Sequence, residues 1–214
     1  MADQRAKPWE LGPKKRPAGG APRALQRVLI LCEDTESSVL YFKKFKTNPR
    51  EVTVECVGTG MNTDGLVEEA IKLKENAEKA RKPYQQIWVV FDKDSFPADH
   101  FGRTRDLVRA HREITLCWSN ECFEVWYLLH FNFFDTPVDR HALGGQISAK
   151  TGIRYEKGNA DTYDHLKEHM QKALQHARKL ESVNATTYGD RYRNPSTRVH
   201  KLVELLLKFT EPDA

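Results

Sequence analysis

The stretch 86–94, QIWVVFDKD, constrains the fold more than any other part of the chain. Ile87 to Phe91 make an unbroken apolar run that stops abruptly on Asp92 and Asp94. Such a β-branched and aromatic run predicts a strand buried on both faces, hence a central strand of a parallel sheet. In open α/β sheets, ligands bind outside the carboxyl ends of the strands. Asp92 and Asp94 stand at such an end, and residues two apart on an extended chain point the same way. Two close carboxylates repel unless a cation sits between them. Hard oxygen donors suit Mg²⁺ or Mn²⁺. An Asp-rich turn after a strand is the plainer alternative, because Asp favours turns.

The rest of the chain supplies partners for that strand. Residues 27–32 predict a buried strand ending on Glu33 and Asp34, with Thr35 to Ser38 available to cap a helix carrying Val39, Tyr41, Phe42 and Phe45. Residues 51–57 alternate Val52, Val54 and Cys56 on one side, a less buried strand. Gly58 to Thr63 then lead into a helix over 64–81. Glycines before a helix can hold an anion on free N–H groups. This loop lacks the Lys of a phosphate-binding loop and the third glycine of a dinucleotide site, so a tight turn is the reading. A helix near 100–111 and a strand over 113–118 complete an alternation that indicates βαβ units.

After that strand, Ser119 or Asn120 is placed to cap a short helix, with Phe123, Trp126, Tyr127 and His130 at helical spacing toward the core. Glu124 falls in its first turn, where the helix dipole alone favours a carboxylate. Residues 135–158 have loop chemistry, with Pro137, Gly144-Gly145 and Gly152. Residues 161–181 predict one amphipathic helix whose His165, His169 and His176 lack a third ligand type for zinc. Tyr188, Arg191, Tyr192 and Arg193 interleave aromatic rings with guanidinium groups, a pattern suited to single-stranded nucleic acid. Residues 194–197 cap a last helix over 198–209.

Charge is unevenly spread along the 214 residues. Residues 1–27 carry seven Lys/Arg against two acids, a net +5. Residues 28–139 carry fourteen against nineteen, a net −5, and residues 140–214 carry thirteen against nine, a net +4. An acidic middle between basic ends suits a metal site approached by a polyanion. Residues 1–25 are Pro-, Gly- and base-rich without hydrophobic period, which predicts a flexible basic arm. The four cysteines sit in or beside apolar runs and read as buried free thiols of a reducing, cytoplasmic setting. No apolar run is long enough to span a bilayer, so no membrane partner is expected.

The order of a strand ending on Glu33, a glycine loop, and a strand ending on Asp92-x-Asp94 resembles the Toprim fold. Further stretches resemble the RloB family within that group. They are Cys32-Glu33-Asp34 with Tyr41-Phe42, Gly58-Thr59-Gly60 with Asn62-Thr63, Asn194-Pro195-Ser196-Thr197, and above all 119–131, SNECFEVWYLLHF. The resemblance spans about 25–210. It implies an α/β, Toprim-like, mostly parallel sheet with helices on both faces over 26–135. A helical and loop C-terminal region over 136–214 would pack on that core as an appendage. It also implies a metal-dependent nuclease of bacterial anti-phage defence acting on DNA or RNA, including tRNA, beside an ATPase partner. A non-catalytic binding or sensor subunit is the alternative, and a homo-oligomer is compatible with either. Carried over by residue, Glu33, Asp92 and Asp94 match the metal carboxylates, and Mg²⁺ or Mn²⁺ is the implied cofactor. Glu124 joins them as a catalytic candidate. Asn120 matches the family stretch and is a substrate-binding candidate, as Arg191 and Arg193 are from their own pattern. The family often has Gly after the first glutamate, where this chain has Asp34.

Overall fold

The computed structural model describes residues 25–93 and 98–210. Asp94 and, apart from Leu25, the basic arm expected over 1–25 lie outside the described residues. One sheet runs through the described chain in the order β2-β1-β3-β4-β5. Its strands are β1 (Gln26–Cys32), β2 (Val52–Gly58), β3 (Gln86–Asp92), β4 (Ile114–Asn120) and β5 (Ser196–Thr197). The first four are parallel to their neighbours, and β5 runs antiparallel to β4. The apolar run of β3 lies at the centre, as a doubly buried strand should.

Strand periodicity sorts the core into two layers. Val28, Ile30, Cys32, Trp88, Val90 and Cys117 face one side. There they meet α1 (Ser37–Lys43), α4 (Glu124–Leu129), α5 (Arg140–Thr151), α6 (Thr162–Leu166), α7 (Met170–Thr186) and α8 (Val199–Leu207). Leu29, Leu31, Ile87, Val89, Phe91, Leu116 and Trp118 face the other side. That layer is covered by α2 (Thr63–Lys79) and α3 (Ala98–Val108). The all-round burial of Val125 to Leu129 explains why α4 reads as continuous hydrophobicity.

Four local expectations are corrected. Residues 140–151 form α5, not a loop. Asp139 caps it through His141 N–H, Leu143 and Ile147 bury its inner face, and Gly152 ends it with φ +72°. Gly144 makes a close approach there: a Cβ would stand 3.2 Å from Tyr155 Cδ1. The helix expected over 161–181 is broken into α6, a 3₁₀ turn (Lys167–His169) and α7. Ser196 and Thr197 pair with Asn120 and Ser119 as β5 before α8 begins. Finally, Ser119 and Asn120 belong to β4 and do not cap α4.

Candidate functional site

Glu33 and Asp92 end adjacent strands at the carboxyl edge of the sheet. Glu33 extends the β1–β3 ladder, its N–H donating to Val90 O at 2.8 Å. Its Oε2 in turn accepts from Asp92 N–H at 3.2 Å. Asp92 ends β3 with the facing of Val90, toward the α4–α5 layer. Its Oδ1 accepts from Phe123 N–H at 2.9 Å, at the entry to α4. Its Oδ2 lies 3.3 Å from Arg140 Nη2, at the start of α5. The polar group that receives the α4 entry is thus a carboxylate 31 residues away in sequence.

The turn after β1 is held from two sides. Asp34 accepts from Glu36 N–H at 2.9 Å, from Ser38 N–H, and from the Ser38 hydroxyl. This is the work expected of residues 35–38, moved to Asp34. Gly60 N–H donates to Glu33 O at 2.9 Å, and Thr59 N–H to Cys32 O at 3.0 Å. Gly58 passes so close that a Cβ would lie 2.6 Å from Asp34 O and 2.6 Å from Thr35 Cα.

Glu124 is buried at 8% exposure and accepts from Tyr155 Oη at 2.7 Å. Burial, reinforced by the Glu124 carboxylate, pushes the Tyr155 phenol well up, so it remains a donor. Burial first, then Glu124 and more weakly Asp92, pushes the Cys122 thiol up as well. Cys122 is therefore an inert thiol beside both carboxylates. The loop bearing Tyr155 also reaches the first turn, where Gly158 N–H donates to Ser37 Oγ at 3.3 Å.

The remaining candidates lie elsewhere. Asn120 Nδ2 donates to Tyr192 O at 2.6 Å and tethers the 188–193 segment. Arg193 stacks over the Tyr188 ring at 3.6 Å. Arg191 is exposed and lines a cavity at the β4–β5 edge. Tyr192 packs against Phe101 and Trp118, with ring centroids 4.8 and 5.1 Å away. Sequence reasoning missed Arg140 and Tyr155, because their role comes from where α5 and the next loop fold back. No local pattern marks either one.

Among the described residues no group of three or more His, Cys, Asp or Glu gathers as a metal site. Glu33 and Asp92 provide two carboxylates, and Arg140 already places a positive charge against one of them. That donor set fits Mg²⁺, which keeps several waters and takes one or two carboxylates plus substrate phosphates.

These features define an α/β protein with a Toprim-like, mostly parallel sheet and carboxylates at its strand ends. The RloB-like protein family matches residues 28–206, and the chain belongs to that family. Among curated proteins none matches, and among solved structures none matches. No helix among the described residues is long and apolar enough to cross a membrane.

Proposed function

We propose that this protein is a metal-dependent phosphodiester-cleaving nuclease. It would act on DNA or RNA, tRNA included, in anti-phage defence with an ATPase partner. The observation that carries this reading is the bond from Asp92 N–H to the Glu33 carboxylate at the ends of adjacent strands, with the Arg140 guanidinium against Asp92. Glu33, Asp92 and Asp94 are the residues to hold Mg²⁺ or Mn²⁺. When bound, the ion supplies Lewis-acid stabilisation of phosphoryl charge and a more acidic water. Glu33 would either bind a second metal or act as the base on the attacking water. The Phe123 N–H fixes the Asp92 carboxylate. Arg140 stands where its guanidinium can turn from Asp92 to a substrate phosphate. Tyr155 fixes Glu124 beside them.

One observation favours the alternative of a non-catalytic binding subunit: both Asp92 oxygens are already engaged, by Phe123 N–H and Arg140. Incubating the full chain, alone and with its ATPase partner, with DNA and RNA in Mg²⁺ or Mn²⁺ separates the two. Wild type cleaves, EDTA stops it, and Asp92→Asn is inactive while binding the partner as before. Cleavage by Asp92→Asn at the wild-type rate would remove Asp92 from the chemistry. Absence of cleavage by wild type in every arm supports the binding subunit.

A further inference from the structure

At the β4–β5 junction, on the edge of the sheet, lies a polar cavity of about 120 Å³. Trp118, Tyr192, Ser196, Thr197 and Arg198 line it, with Arg191, Lys201 and Glu181 closing the outer side. Trp118 belongs to the α2–α3 layer, and Arg198 N–H donates to Trp118 O at 2.9 Å. The Arg198 guanidinium stands 5.0 Å from the Trp118 ring centroid.

The charge balance is unequal. Glu181 is tied to Lys201 at 2.6 Å and to His200 Nε2 at 3.3 Å. Among the described residues neither Arg191 nor Arg198 pairs with a carboxylate. Three side chains lining the cavity also keep a buried polar atom with no partner: Ser196 Oγ, Arg198 Nε and Trp118 Nε1. Ser196 is 4% exposed and Trp118 7%. Those three atoms are closed off from solvent. Two guanidinium groups with no carboxylate partner among the described residues favour an anionic ligand.

Size and surroundings narrow the anion. The cavity is smaller than the ~150 Å³ that accommodates benzene, so it takes a phosphate group and no whole nucleoside. It adjoins a wider groove of about 390 Å³, with which it shares Trp118, Tyr192 and Arg198. Val108, Ile114 and Leu116 give that groove an apolar floor, and Arg105 stands over the Tyr192 ring. A small cationic pocket opening into a wider groove of mixed polar and apolar lining, edged by aromatic rings, matches a phosphate joined to a flat base.

We propose that this junction is a phosphate-ester site for a nucleotide unit. Arg191 and Arg198 take the phosphate, and the groove beside Trp118 and Tyr192 takes the sugar and base. The proposal does not rest on the nuclease reading, because it uses neither the carboxylates nor a metal.

Calorimetric titration of the full chain in EDTA at low salt tests it, with AMP, adenosine and a short oligoadenylate as probes. EDTA silences metal-mediated binding at the carboxylates. AMP is expected to bind at least about tenfold more tightly than adenosine, the factor that one charge-assisted hydrogen bond supplies. Arg191→Gln and Arg198→Gln should each weaken AMP. Binding of AMP alone identifies a free nucleotide as the source; binding of the oligoadenylate alone identifies a strand. Each supports the site if the same variants abolish it. Equal binding of AMP and adenosine, wild-type affinity in both variants, or no binding of any probe overturns it.

Discussion

At the carboxyl edge of the sheet and the entry to α4, Glu33, Asp92 and Glu124 each accept a hydrogen bond from within the chain. At the β4–β5 edge, Ser196, Arg198 and Trp118 each keep a buried polar atom with no partner among the described residues. The two sites share a sheet, and Asp92 and Ser119 are direct register partners. Their difference follows from the charge of what is buried. A half-buried carboxylate must be compensated at once, so backbone N–H groups, Tyr155 and Arg140 are built around it. An unpaired donor costs less and can wait for its acceptor. One site therefore keeps its shape before any ligand arrives, and the other gains most when a ligand does.

The largest effect expected from this contrast is acid sensitivity beneath the carboxylate face. His130 follows α4, fully buried, with Nδ1 3.0 Å from Trp126 O and Nε2 without a partner. Burial pushes its pKa down from 6.5 to about 4, with smaller opposing help from the Trp126 and Tyr127 backbone and repulsion from His169 and His176. Between these values the unfolded chain binds the proton and the folded chain does not. Stability is therefore complete above pH 6.5 and falls as pH drops toward 4, by about 3 kcal/mol at most. Urea unfolding across this range checks it. His130→Gln should lose most of the slope, and an unchanged slope would place the sensitivity elsewhere.

A smaller effect sharpens the comparison at the site itself. Tyr155→Phe strips Glu124 of a hydrogen bond while it stays buried, and should cost about 1.5–3 kcal/mol at neutral pH. Equilibrium denaturation reads it directly. A cost near zero would mean that Glu124 is as loosely satisfied as the β4–β5 donors, and the contrast between the faces would collapse.

The smallest effect uses the glycine pair of α5. Gly145 has open space around a Cβ, so Gly145→Ala should stabilise by up to about 1 kcal/mol from helix propensity. Gly144→Ala should gain less, because its methyl presses on Tyr155. Thermal melts of the two variants, measured together, rank them. Equal gains would show that Tyr155 yields freely and is not braced against α5.

Sequence made the sheet legible because β1, β3 and β4 are continuous apolar runs, and Glu33 and Asp92 because each ends one. The helix α5 was hidden by Gly144 and Gly145, which lower helix propensity for the sake of a close approach to Tyr155. The strand β5 was hidden by its length, two residues whose pairing partner is 78 positions earlier. Arg140 and Tyr155 were hidden for the same reason: their partners are brought by tertiary folding, and neither carries a spacing that a single sequence exposes. Asn120 sits in a family-like stretch, yet its side chain is spent on a backbone carbonyl of the 188–193 segment.

The glycine at position 58 sets a dimensional tolerance for the proposed metal centre. A methyl group there would have to force the Asp34–Thr35 backbone from 2.6 Å to ordinary contact at 3.4 Å, a displacement of about 0.8 Å. That exceeds the ~0.4 Å difference between a Mg²⁺–oxygen and a Ca²⁺–oxygen bond. The adjoining residue is Glu33. The proposed cation site would thus depend in part on an atom that is missing, in a residue that is not one of its proposed ligands.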